Sequence, residues 1–225
     1  MKTSMALKPL AFALAALMAV AAQAGGYHAP TTAAATTLDG QSNHGNLVIN
    51  DKTKNNASIN DSNNHNSGVT NSNALSGDNN QGKNDVAIIS GDADFVFAST
   101  GTAQSNTGNV VVNNGTHNNA SLNDSGNHNS GITQLNAAAG TSNQASSSVA
   151  IASGNGDGGA AAVTGVQDVS ANLTFNSSGH GWNSKPVVNN ASINSSMNYG
   201  SGVMNSNSLS GSNNQGQNNV AITRF

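Results

Sequence analysis

The chain has 225 residues, enough for a domain, yet only 8% are charged and 4% aromatic, and cysteine is absent. Seven basic residues face ten acidic ones, all Asp, and two of the basic ones, Lys2 and Lys8, fall at the extreme N-terminus; no basic footprint for nucleic acid or an anionic membrane surface is present. With no disulfide available, a composition dominated by Asn, Ser, Gly and Ala has to be held together by something other than cross-links or a large apolar core.

The first 24 residues read as a secretory signal. Lys2 and Lys8 give the positive start, Pro9 to Val20 is an apolar run too short to cross a bilayer, and Ala22-Gln-Ala24 is a small-x-small cleavage site. A Thr/Ala-rich lead occupies 25–40. From Gln41 onward the chain repeats: repeat 1 covers 41–88, repeat 2 covers 104–151 and repeat 3 covers 167–222, with spacers at 89–103 and 152–166 and a tail at 223–225. The copies share Asn55-Asn-Ala-Ser-Ile-Asn60, Asn118-Asn-Ala-Ser-Leu-Asn123 and Asn189-Asn-Ala-Ser-Ile-Asn194, and the third carries an insertion between Asn176 and Val187. A repeat of this length is a unit of architecture.

Within each copy four short extended segments are predicted, Asn46–Asn50, Asn56–Ser62, Val69–Leu75 and Val86–Ile88 in the first. Period-two alternation such as Ala57 and Ile59 against Ser58 and Asn60 marks strands. The intervening Asp51–Asn55, Asn63–Ser67 and Ser76–Asn79 are clusters that tolerate turns and left-handed backbone. No segment after Ala24 shows a capped helical stripe. The two spacers, equal in length, are expected to be flexible and to loop outside the fold, although Phe95-Val-Phe97 in the first could add a strand.

A single copy holds too few aliphatics to offset the entropy of ordering its backbone, and alone it is all sheet edge. Stacking copies in register about 4.7–4.8 Å apart pairs every backbone group and sets like side chains over like. Buried amides can then donate to and accept from one another. Five sets of positions recur for such ladders: Gln41, Gln104 and Gln167; Asn60, Asn123 and Asn194; Asn73, Asn136 and Asn207; Asn80, Asn143 and Asn214; and Gln81, Gln144 and Gln215. Six apolar columns are expected beside them: Ile49, Val112 and Phe175; Ala57, Ala120 and Ala191; Ile59, Leu122 and Ile193; Val69, Ile132 and Val203; Val86, Val149 and Val220; and Ile88, Ile151 and Ile222. Glycines recur at positions 68, 131 and 202 and at 77, 140 and 211, where the chain turns or two backbones approach. Charges rarely recur in all copies, as like charges at strand spacing repel. The expected fold is therefore all-β: a three-layer β-solenoid or cross-β stack, one repeat per layer, with flexible spacers.

The leader Met1-Lys-Thr-Ser-Met-Ala-Leu-Lys-Pro-Leu10, the blocks Gly77-Asp-Asn-Asn-Gln81, Gly140-Thr-Ser-Asn-Gln144 and Gly211-Ser-Asn-Asn-Gln215, and Lys185-Pro-Val-Val-Asn-Asn190 resemble the Fap functional-amyloid subunits of pseudomonads. The resemblance covers nearly the whole chain. It implies a secreted, biofilm-associated fibril subunit, fibrils at the cell surface, export through an outer-membrane pore, and as partners other copies of the chain and related fibril subunits. The major subunit type carries a Cys-x-x-Cys near its C-terminus, whereas this chain ends Asn219-Val-Ala-Ile-Thr-Arg-Phe225, which leaves subunit rank open.

No catalytic, cofactor-binding or metal-ligating residue is assigned. No Gly-x-Ser-x-Gly elbow or zinc motif is present. His65 and His128, each in Asn-His-Asn-Ser-Gly, are read as exposed turn residues, Tyr199 breaking their column in the third copy. Gly154-Asn-Gly-Asp-Gly-Gly159 occurs once and reads as spacer. The chain is thus taken as a self-assembling structural protein rather than an enzyme, with no nucleic-acid or membrane partner; the alternative is a monomeric secreted β-solenoid serving as an adhesin or ice-binding surface.

Overall fold

The structure, a computed structural model, describes residues 31–156, 158–177 and 186–224. The signal segment expected over 1–24 lies outside the described residues. The first set of strands comprises β1 (Thr32–His44), β2 (Leu47–Asp51), β3 (Lys54–Asn60), β4 (Ser67–Asp78) and β5 (Gln81–Gly91). The second comprises β6 (Phe95–Thr107), β7 (Val110–Asn114), β8 (His117–Asn123), β9 (Ser130–Thr141) and β10 (Gln144–Gly154). The third comprises β11 (Gly158–Ser170), β12 (Leu173–Ser177), β13 (Val188–Asn194), β14 (Ser201–Ser212) and β15 (Gln215–Arg224).

Each strand pairs in parallel with its equivalents in the other sets, giving five three-stranded sheets: β1-β6-β11, β2-β7-β12, β3-β8-β13, β4-β9-β14 and β5-β10-β15. The fold is therefore a three-layer parallel stack, one repeat per layer. The second layer is central in every sheet, and both outer layers present unpaired strand edges. Register follows the sequence repeat. Leu47, Val110 and Leu173 pair in line, while Val188 rather than a residue nearer β12 meets His117. The insertion in the third copy, between β12 and β13 in the chain, shifts no rung of the described strands.

Within a layer the chain winds so that β1 packs on β5, β5 on β4 and β4 on β3, with β2 forming the bend that joins β1 to β3. β9 and β10 are covered on both faces as well as above and below, which is why they are buried almost continuously; β3 is covered on one face and alternates. Two small apolar clusters result. Ala57, Ile59, Ala120, Leu122, Leu135, Ala137 and Ala139 fill the space between the β3 and β4 sheets, and Ala87, Val96, Ala98, Ala150 and Ala152 that between the β1 and β5 sheets. Small side chains dominate both because facing sheets of Asn, Ser and Ala approach closely.

The bends are arcs rather than hairpin turns. Asp61, Asn63 and His65 all have positive φ, as do their counterparts Asp124, Gly126 and His128, and Ser195, Met197 and Tyr199. Their backbone N–H groups bond up and down the stack, for example Asp61 N to Asn123 O at 3.0 Å and His128 N to Asn198 O at 2.9 Å. The glycine columns serve the same stacking. Gly140 has φ +110°, and a Cβ there would lie 2.0 Å from the Gly211 carbonyl oxygen; one on Gly131 would lie 2.3 Å from that of Gly68.

The four segments expected in each copy overlap β2, β3, β4 and β5 and their equivalents, with Asn46, Asp61 and Ser62 outside the strands, while β4 runs on through Ser76–Asp78, read as a turn, and β5 starts at Gln81, well before Val86. The fifth strand is where the structure departs from the sequence reading. Residues 32–40, read as a lead, and most of 89–103 and 152–166, read as flexible spacers looping outside, belong to β1, β6 and β11 and to the ends of β5 and β10. Pairs such as Ala35↔Ala98↔Ala161 and Thr37↔Thr100↔Val163 carry the ladder straight through them. Little letter identity links these stretches, so the repeat signal stops at Gln41, but small residues and backbone pairing suffice for strands packed against β5, β10 and β15.

Candidate self-assembly site

The two outer layers and the columns of side chains that end on them form the candidate site. Of the amide columns named from the sequence, two lie between the β1 and β5 sheets. Gln104 Nε2 donates to Gln41 Oε1 at 2.9 Å and Gln167 Nε2 to Gln104 Oε1 at 2.8 Å. Beside them Gln144 Nε2 donates to Gln81 Oε1 at 2.9 Å and Gln215 Nε2 to Gln144 Oε1 at 3.3 Å. Gln104 and Gln144 are fully buried, where an unpaired amide would cost about 1–3 kcal/mol.

Asn73, Asn136 and Asn207 form the ladder between the β4 and β5 sheets, with links of 3.0 and 2.9 Å. Asn84 and Asn218, from the facing strands, donate to Asn73 and Asn207, and Ser147 Oγ donates to Asn136, so the column is cross-braced. Asn60, Asn123 and Asn194 form an equally regular ladder, 2.8 and 3.0 Å, but on the exposed outer face.

Asn80, Asn143 and Asn214 play a different part. Asn143 N donates to Asn80 Oδ1 at 3.0 Å and Asn214 N to Asn143 Oδ1 at 3.1 Å, so the side chain of one layer accepts the backbone N–H of the next at the β4–β5 bend. At another bend the sense is reversed, Asn46 N donating to Asn109 Oδ1 and Asn109 N to Asn172 Oδ1, while Asn64, Asn127 and Asn198 follow the Asn80 pattern at a third. Asparagine thus caps positions where the chain turns and no carbonyl lies in line with the N–H.

Two ladders buried in the first and second layers escaped the sequence reading: Asn50, Asn113 and Asn176, with both links 3.0 Å, and Asn55, Asn118 and Asn189, at 2.9 and 2.8 Å. Their signal was visible, since all six positions keep Asn, but they fall where short apolar runs meet turns and alternation gives no face.

Five of the apolar columns lie against other sheets. Ala57, Ala120 and Ala191 stack in register, as do Ile59, Leu122 and Ile193, and both columns pack toward the β4 sheet. Val69, Ile132 and Val203 form one wall of the β4–β5 interface; Val86, Val149 and Val220, with Ile88, Ile151 and Ile222, form the other. The sixth, Ile49, Val112 and Phe175, is stacked in register but faces outward. Ile49 is 69% and Phe175 52% exposed, while Val111 and Asn113 take the inward positions of β7. Leu47-Val-Ile49 is apolar at three consecutive positions, so its pattern does not tell inside from outside.

Burial along the five inward columns is uneven. Ala120, Leu122, Ile132 and Val149 are buried in the second layer. In the third layer Ala191, Ile193 and Ile222 are exposed, and Val203 and Val220 are only half-buried. In the first layer Val69 and Ile88 are exposed and Val86 is half-buried, although Ala57 and Ile59 are covered. Ile151, near the C-terminal end of β10, is half-buried even in the second layer. The reason is position in the stack: a side chain here is covered by the residues above and below it as much as by the facing sheet, and an end layer lacks one of those two neighbours. The second layer is a finished interior; the first and third are the same interior cut open.

At the β3–β4 arc the rings of His65 and His128 stack at 4.8 Å and those of His128 and Tyr199 at 4.9 Å, nearly parallel. This is an aromatic stack on an exposed turn, and no cluster of three or more metal-ligating side chains occurs among the described residues.

Comparison with known proteins fits this arrangement. Residues 33–224 match the functional amyloid protein FapB/FapC family. The chain belongs to the FapB/FapC family. One relative, the functional amyloid subunit FapC of Pseudomonas aeruginosa, is 38% identical over 198 residues, covering 81% of this chain and 58% of its own length. The chain thus spans less than two thirds of that relative. No solved structure matches. The family match begins at position 33 and so takes in β1, the strand whose repetition the sequence hides.

Proposed function

We propose that this family member is a secreted subunit that polymerises end to end into extracellular cross-β fibrils, the third layer of one chain serving as template for the first layer of the next. The observation that carries this is that every sheet ends on unpaired strands in the first and third layers while the register, ladders and apolar columns run through the second without a break. Adding a chain covers the open edges with the same contacts already made inside. Such a fibre resists solvent and load because each rung holds both backbone and side-chain hydrogen bonds.

Its use is mechanical: reinforcement of a biofilm matrix and attachment to surfaces, with export through an outer-membrane pore and co-assembly with related subunits supported by the family relationship. The test is seeded growth followed by thioflavin T. Mature chain should elongate sonicated seeds without a lag, and the product should diffract at about 4.7–4.8 Å along the fibre axis. A β-rich chain that stays monomeric in the presence of seeds overturns the reading and favours a monomeric solenoid.

A further inference from the structure

We propose that the junction between successive chains is keyed by Gln217 of one chain and the Asp39–Lys83 pair of the next; this rests on the end-to-end assembly proposed above. Two facing columns carry it. Across the β1 sheet the register runs Asp39↔Thr102↔Gly165, and across the β5 sheet Lys83↔Ser146↔Gln217 and Asp85↔Ser148↔Asn219. Charge appears at these positions in the first layer alone. There Lys83, only 5% exposed, pairs with Asp85 and reaches Asp39 at 3.5 Å, and its Nζ also donates to Gly101 O at 3.4 Å. Thr102 of the second layer donates to Asp85 Oδ2 at 2.9 Å. Asp39, in the outermost layer, remains 47% exposed.

The third layer holds the complement. Gly165 has no side chain, and Gln217 leans across into its place: a Cβ on Gly165 would fall 1.4 Å from Gln217 Nε2. That Nε2 is buried and has no hydrogen-bond partner. Carrying the register forward by one rung of about 4.7–4.8 Å puts Asp39 of the next chain over Gly165 and Lys83 over Gln217. Turned out of Gly165's place, the amide meets an ion pair of matching polarity, its N–H toward the Asp39 carboxylate and its Oε1 toward the Lys83 ammonium. A buried donor gains an acceptor, and a half-exposed carboxylate is covered by a neutral group instead of a like charge.

The spacing also removes repulsion. With one charged layer in three, the cluster recurs about every 14 Å along the fibre, so like charges are not stacked at strand spacing. The partner that fits this end face is a second copy of the same chain, in the same orientation, with its first layer on the third.

Residues 39 and 217 lie two layers apart within one chain, so a thermodynamic cycle separates a junction contact from two independent defects. Seeded elongation is measured for wild type, Gln217→Leu, Asp39→Ala and the double variant, each on its own seeds. Each single change should slow elongation by about three- to tenfold, the rate equivalent of one hydrogen bond, and the double variant should be no slower than the slower single one. Singles that grow like wild type, or a double variant slowed by the product of the two factors, overturn the junction. Wild-type chain that does not elongate its own seeds overturns the assembly reading and the junction with it, an outcome distinct from both.

Discussion

Asparagine has two duties in this chain, and they separate by backbone geometry. Along strands the amides face each other across layers and form ladders, as at Asn73, Asn136 and Asn207; at bends the carboxamide oxygen accepts a backbone N–H from the next layer, as at Asn80 and Asn143. Replacing Asn73, Asn136 and Asn207 together by Asp puts three acceptors with like charge where donors alternated with acceptors, and Asn136 is fully buried. Seeded growth at neutral pH should be abolished or slowed by orders of magnitude, and thioflavin T kinetics check it; the same three changes at the exposed Asn60, Asn123 and Asn194 should cost far less, since water screens that face. Residue types and their recurrence were legible in the sequence. Their orientation was not wherever a strand is only five residues long: Ile49, Val112 and Phe175 form the column expected but turn it outward, because the bends on either side of β2, β7 and β12, not local alternation, decide the phase.

At the scale of elements, the strand that the repeat does not announce is among the longest. β6 pairs with β1 and β11 over its whole length and lies buried against β10, although its first half shares little sequence with either partner. A strand defined by backbone pairing tolerates Thr, Ala, Gly or Phe so long as the inward side chains are small enough to meet the facing sheet, so repetition of letters is not required of it. Hydrogen exchange on assembled fibrils tests this. Amides of 95–107 should be protected as strongly as those of 144–154; exchange near unfolded rates across 95–103 would return that stretch to a loop outside the stack. The insertion before β13 shows the opposite case, since eight extra residues in the third copy leave all five sheets in register.

Taken as a whole, the molecule is a stack with a covered middle and two open ends. Its middle layer has neighbours on every side, its end layers lack one, and the Lys83, Asp39 and Asp85 cluster lies in the first layer, so chains joined as proposed would keep their ionic clusters apart. A filament built this way contains one chain per roughly 14 Å of axis, three rungs each, and scanning-transmission mass-per-length measurement should return that value for a single filament or an integer multiple for bundles. The sequence alone determined that the fold is β, that it has three layers, and which side chains lie above which, because the repeat offset is the register and like must stack on like for amides to pair. The tertiary structure decided which sheets face each other, which side of each column is inside, and that the stretches between repeats are strands. Those outcomes depend on where the chain bends within a layer, and the bends are fixed by left-handed turn residues and by close sheet contacts between residues distant in sequence, which no repeat pattern encodes.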